Sequence, residues 1–149
     1  IADIISIPAM FALAWGRIAN FINGELVGTK TNLSWCIDYS KNQYLQNALP
    51  EGCRHPNMIY SFFQRMLVFS WLLFLQLSKQ FKPGFIFWNL IFWEGIGRFM
   101  MDFFREDVLY FHLSQGQWFS LIMVATAIFI FKKYYKEDWK QLLHRKNLP

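Results

Sequence analysis

Two groups of charged and amide side chains interrupt otherwise apolar sequence. The first lies in "GRIANFINGELVG", residues 16–28, where Arg17, Asn20, Asn23 and Glu25 follow a long hydrophobic run. Arg17 and Asn20 are three residues apart and share one side of a helix, with Asn23 a turn further on. The second lies in "WEGIGRFMMDFFRED", where Glu94, Arg98, Asp102 and Arg105 stand at i, i+4, i+8 and i+11. That spacing draws one polar stripe along an aromatic helix. A self-neutralising Glu–Arg–Asp ladder is the structural alternative. Ionisable groups at membrane depth are costly and mark functional sites by default. Guanidinium binds phosphate through two parallel hydrogen bonds. Arginines in two apolar helices therefore point to an anionic ligand, with a lipid phosphate the first candidate. Gly95 and Gly97 are expected to let another helix approach the stripe closely.

The elements that must carry these groups follow from composition. Of 149 residues, 54% are hydrophobic and 20% aromatic, with 17 Phe and 7 Trp. A soluble domain of one-domain length has too little interior for so many rings. The apolar residues come in four blocks: Ile4–Ile22, Ile59–Leu77, Phe85–Phe104 and Trp118–Phe131, the last extending to Gly116 and Lys132. Blocks of roughly 17–25 residues match a bilayer. The expected fold is an all-α, polytopic integral membrane protein with about four transmembrane helices. A buried soluble bundle is the alternative that this composition argues against.

Orientation follows from Lys and Arg in short loops. Lys132, Lys133, Lys136, Lys140, Arg145 and Lys146 follow the last block, and Lys79 and Lys82 sit in the Ser78–Gly84 loop. Four helices put both on one side, expected to be cytoplasmic, and residues 24–57 then form an extracytoplasmic loop. The net charge of +5 reads as membrane topology, since no basic patch interleaves with exposed aromatics; no nucleic-acid partner is expected. The chain opens in mid-helix with "IADIISIPAM" and shows no signal peptide, so a longer protein is expected, with residues 1–149 the C-terminal part of a single transmembrane domain. Cys36 and Cys53 are the two cysteines, and both fall in the loop placed outside, where a disulfide can persist. It would close a loop of about 18 residues, worth roughly 3 kcal/mol in the chain-entropy model.

The first cluster resembles the signature of the bacterial prolipoprotein diacylglyceryl transferases, G-R-x-G-N-F-x-N-x-E-x-x-G: Gly16, Arg17, Asn20, Phe21, Asn23, Glu25 and Gly28 match, with Ala19 in place of a glycine. Ala2-Asp3 resembles an upstream Ala-Asp pair, and "TNLSW" the family's T-D-L-P-W. "RHPNMIY", holding His55 and Tyr60, resembles R-H-P-S-Q-L-Y-E; "GRFMMDFFRE" resembles R-F-x-x-E-F-x-R-E; "LSQGQWFS" resembles I-S-M-G-Q-x-L-S. The motifs keep their order over nearly the whole chain. The resemblance implies transfer of a diacylglyceryl group from phosphatidylglycerol to the lipobox cysteine of a prolipoprotein, at a multi-pass site in the bacterial plasma (inner) membrane. It implies Arg17 and Arg98 as the essential arginines and Asn20, Asn23, Glu25, Gly28, His55, Tyr60, Asp102 and Arg105 as substrate-binding residues, with Asp102 orienting Arg98. The family's histidine motif, F-H-G-G, would lie upstream of Ile1, so residues 1–149 alone are expected to insert but not to catalyse.

The departures are Glu94 for a usual Tyr, Met58 for Gln, Ser61 for Glu and Gln115 for Met. Glu94, one turn from Arg98, is expected to compete with phosphate there. These leave a catalytically inactive paralogue, or a transporter-like protein binding anionic phospholipid, as the alternative; product formation on a lipobox peptide separates them. Arg65 is expected to snorkel at a helix end. His55-Pro56 also reads as a helix start, and His112 and His144 carry no function. The three histidines and two cysteines show no ligand spacing, so neither metal nor cofactor is expected. There is no glycine-rich phosphate loop, nucleophile-elbow serine or internal repeat.

Overall fold

A computed structural model describes residues 1–39, 52–78, 81–106 and 108–144; Lys79, Asp107, Arg145 and Lys146, and the middle of the expected outer loop, lie outside the described residues. The elements run α1 (Ala2–Ile22), β1 (Ile37–Asp38), β2 (Cys53–Arg54), α2 (Asn57–Ser78), α3 (Phe85–Asp102), β3 (Leu109–Tyr110), β4 (Leu113–Ser114), α4 (Gln115–Tyr134) and α5 (Lys136–His144). Two antiparallel pairs, β1–β2 and β3–β4, add to the expected all-helical architecture.

Helices α1, α2 and α4 are each long and apolar enough to cross a membrane. α3 has 18 residues and carries Glu94, Arg98 and Asp102, so it stands apart from the other three. Three of the four expected spans thus meet that measure. The expected tail is partly helical as α5, and Lys132 and Lys133 close α4, where cations suit the carbonyl end of a helix. α4 begins on a reciprocal cap: Ser114 Oγ accepts from Gln117 N at 3.0 Å, and Gln117 Oε1 accepts from Ser114 N at 2.9 Å. This box accounts for the Ser and Gln of "LSQGQ".

α3 packs against α2 on one side and α4 on the other, and α1 packs on α2. Lipid is as apolar as the side chains, so close fit rather than hydrophobic transfer carries such packing. Gly95 lies against Ser120, Met123 and Val124 of α4, where a Cβ would come within 2.9 Å of Val124 Cγ2. Gly97 lies against Gln64 of α2, which would overlap an added Cβ. The expected close approach is present on both flanks.

The apolar core fills one half of the bundle: Met10, Val68, Leu72, Leu75, Phe85, Ile86, Ala127 and Phe131. Phe85 is its centre, with ring centroids 4.6 Å from Phe81, 6.0 Å from Phe131 and 5.5 Å from Trp139. Beyond the core, the Lys82–Gly84 turn is clamped. Gly84 takes a left-handed φ of 93°, and α3 has no side-chain cap from Gly84. Asp3 of α1 supplies one, accepting from Gly84 N at 2.6 Å and Phe87 N at 2.8 Å. Asp138 accepts from Lys82 N at 3.1 Å, and Tyr135 donates to Pro83 O at 2.7 Å. Burial, with Asp3 and Asp138 nearby, pushes the Tyr135 phenol up and keeps it a donor. The Lys82 turn and the chain after Lys132 therefore share one end of the bundle, as the charge pattern requires.

At the opposite end, residues 28–31 thread between two backbones. Thr29 N donates to Phe104 O at 2.8 Å, His55 N to Thr29 O at 3.1 Å, and Thr31 N to Cys53 O at 3.0 Å. Cys36 and Cys53 form a disulfide, with Cα atoms 5.3 Å apart, beside the β1–β2 pair.

Candidate functional site

Between the apolar core and the threaded segment, α1, α2 and α3 enclose a cavity of about 250 Å³. Arg17 reaches it from α1, Asn57, Met58, Ser61, Gln64 and Arg65 from α2, and Arg98, Met101 and Asp102 from α3; Arg105 closes it just past the end of α3. Of the residues singled out in the sequence, Arg17, Arg98, Asp102 and Arg105 are brought together here. A second recess of about 340 Å³ shares Arg98, Asp102 and Arg105 and is completed by Val108, Tyr110, Gln115 and Gly116. Arg98, Asp102 and Arg105 are the wall between the two.

Pairing within this set differs from the expected stripe. Glu94 bonds Arg65 of α2, through Arg65 Nη2 and Glu94 Oε1, and both side chains are buried. It does not sit on Arg98. Arg65 is no snorkelling cation: it is 4% exposed and lines the cavity. The reason is rotation about the α3 axis. Gly97 lets α2 in so closely that position 94 meets α2 rather than the next polar residue of its own helix. Asp102 turns to Arg105 Nη1 at 3.5 Å and accepts from Ser114 Oγ at 2.8 Å. It orients Arg105, and the expected Asp102–Arg98 pair is not made. Among the described residues, neither Arg17 nor Arg98 has an ion pair, so the self-neutralising ladder is excluded.

The other sequence-derived candidates lie around this centre. Asn20 lines a shallow recess on α1 with Ala9, Ala12, Leu13, Gly16 and Arg17. Asn23 and Glu25 are exposed at the end of α1, where Asn23 N caps onto Ala19 O and Glu25 N donates to Asn20 O at 2.9 Å. Gly28 lies within the threaded segment, bridged to Arg105, and its carbonyl accepts from buried Arg54 at 2.9 Å. His55 and Tyr60 form a ring cluster with Phe104; Trp35 Nε1 donates to Tyr60 Oη at 2.7 Å. His112, in the β3–β4 turn, is exposed with a φ of 68°. Sequence reasoning misread Arg65 as a snorkelling end residue, although it stands inside its apolar block next to Gln64, and missed Arg54, which pairs with Glu106 at 3.2 Å. No group of three metal-binding side chains is present among the described residues.

The family model described as prolipoprotein diacylglyceryl transferase matches residues 1–132. The chain belongs to the prolipoprotein diacylglyceryl transferase family. Relatives in it include the phosphatidylglycerol–prolipoprotein diacylglyceryl transferases of Nitrosomonas europaea, 33% identical over 100% of this chain and 53% of that one, and of Polynucleobacter asymbioticus, 30% identical over 89% and 50%. That of Ehrlichia ruminantium is 36% identical over 78% of this chain and 46% of its own. The chain spans about half the length of these curated relatives. With family membership and three membrane-length helices, it is a multi-pass membrane protein. All the cavity-lining residues fall within the matched span, and α5 lies beyond it.

Proposed function

We propose that this chain forms the phosphate-binding half of a diacylglyceryl transferase in the bacterial inner membrane, with the Lys82 turn and α5 on the cytoplasmic side and residues 24–57 outside. The observation that carries the reading is the pair of guanidiniums, Arg17 and Arg98, that have no ion pair among the described residues and line one cavity in a bundle of apolar helices. Its relatives are named for phosphatidylglycerol and prolipoprotein, and those would be its substrates. The lipobox thiol, once its proton has left, attacks the glyceryl carbon that bears the phosphate. The carbon–sulfur bond forms, the carbon–oxygen bond breaks, and its electron pair leaves with glycerol phosphate. Negative charge grows on that phosphate as the bond breaks, so fixed guanidiniums stabilise the transition state more than the bound lipid. α3 would span the membrane as the helix that carries Arg98, its charges covered by α1, α2 and α4.

The test is transfer by the full-length protein, followed as the mass gain of one diacylglyceryl group on a lipobox peptide. Arg17→Ala and Arg98→Ala should each lower the rate by roughly 10²–10³-fold or more, and Arg→Lys should be strongly impaired because the planar fork is lost. Near-normal product from either alanine variant would refute the assignment. Phosphatidylglycerol binding without product in the wild type would make the protein a lipid binder instead.

A further inference from the structure

Arg65 and Glu94 face each other across the α2–α3 contact at the wall of the cavity. Both are buried, with the Arg65 side chain 5% and the Glu94 side chain 12% exposed. Their pairing is incomplete. Arg65 Nη2 reaches Glu94 Oε1, but Arg65 Nε and Glu94 Oε2 have no hydrogen-bond partner among the described residues. A guanidinium offers five donors on a rigid fork, and a single carboxylate oxygen occupies only part of it. A buried pair left in that state is costly by itself; acceptor oxygens on a third party would satisfy the open Arg65 donor, whereas Glu94 Oε2 calls for a donor. Among the described residues, the charges lining or adjoining the cavity are Arg17, Arg65, Arg98 and Arg105 against Glu94 and Asp102, four positive and two negative, a net of +2. A phosphodiester carries a single negative charge, whereas a phosphate monoester carries about −1.5 to −2 near pH 7. The site therefore matches the leaving group better than the lipid.

We propose that Arg65 is a third phosphate-contacting guanidinium of this site, held on the cavity wall by Glu94, and that it engages the phosphate monoester that departs. Glu94 is then a positioning residue: it fixes one edge of the Arg65 fork and leaves the rest for the ligand. Three helices, α1, α2 and α3, would each supply one arginine to one phosphate. The proposal rests on the transfer reading given above, but its test does not.

The full-length protein, in detergent free of phosphatidylglycerol, is titrated calorimetrically with sn-glycerol 1-phosphate and, separately, with inorganic phosphate. The informative variant is Arg65→Met with Glu94→Met. It removes one charge of each sign, so the net of the site stays at +2 and only the guanidinium contact is lost. Replacing both members of a buried pair by apolar residues is tolerated, unlike removal of one, and an unchanged melting midpoint checks this. Binding of both anions should weaken by about 10- to 100-fold, the usual worth of hydrogen bonds between a charged group and its partner. Arg65→Lys with Glu94 kept should show a smaller loss, and it carries the test if the double variant does not fold. Wild-type affinity in the double variant, or in Arg65→Lys if that alone folds, would overturn the proposal, as would a wild-type protein that binds neither anion. A wild-type protein that binds both anions but yields no lipidated peptide would sink the transfer reading and leave Arg65 as a phosphate ligand.

Discussion

Gly28 offers a sharp test because its role is spatial. Its φ is not in the left-handed region, so alanine is allowed there by backbone conformation. The difficulty is room. A Cβ at Gly28 would lie 2.5 Å from the carbonyl oxygen of His55 and 3.0 Å from that of Phe104. Ordinary contact begins near 3.4 Å, so the backbones must part by about 0.9 Å on the His55 side. Both neighbours are backbone and cannot rotate away. They are also tied to the same segment through Thr29 N→Phe104 O and His55 N→Thr29 O. Overpacking of this kind costs about 1–3 kcal/mol, or roughly 2–12 °C in melting midpoint at about 2–4 °C per kcal/mol. The displacement passes to Arg105, bridged to Gly28 and lining both recesses, so transfer should fall as well. The assay is the melting midpoint of full-length Gly28→Ala in detergent beside its rate on a lipobox peptide. Wild-type values for both would refute the tight crossing. A lost rate with an unchanged midpoint would refute the spatial argument and place Gly28 at the substrate itself.

Asp3→Ala removes the acceptor for the first N–H groups of α3 and should lower stability by about 1–3 kcal/mol. Asp3→Asn, which keeps one carbonyl oxygen, should lower it by less; equal midpoints for wild type and Asp3→Ala in thermal denaturation would show that the cap is not needed. Replacing Cys36 and Cys53 by serine should cost roughly 3 kcal/mol, and a non-reducing peptide map of the native protein should join the two cysteine peptides, whereas alkylatable thiols in fresh membranes would exclude the bond.

Sequence alone determined the four long helices, though not the two short strand pairs or α5. Apolar blocks of bilayer length, ended by Pro, Gly and Lys, require helices at these places whatever surrounds them, because unpaired backbone groups are not tolerated in lipid. It also determined which charged side chains interrupt the apolar helices, Arg17 in α1 and Glu94, Arg98 and Asp102 in α3. The pairing of the cysteines was legible from their number and from the loop they share. What sequence could not decide was which charge meets which. Spacing along α3 joined Glu94, Arg98 and Asp102 into one stripe, yet each of the three ends differently: on Arg65, without an ion pair among the described residues, and on Arg105 with Ser114. Partner choice depends on how α3 is rotated between α2 and α4, and that is fixed by contacts at Gly95 and Gly97 with residues some 30 positions away on either side. Asp3 and Gly28 show the same limit. Their motif positions were visible, but an acceptor for Gly84 and a crossing with His55 exist only once segments far apart in sequence are brought together. Local periodicity fixes which face a side chain takes; close packing between helices decides the partners, and with them that Arg17 and Arg98 have no ion pair among the described residues.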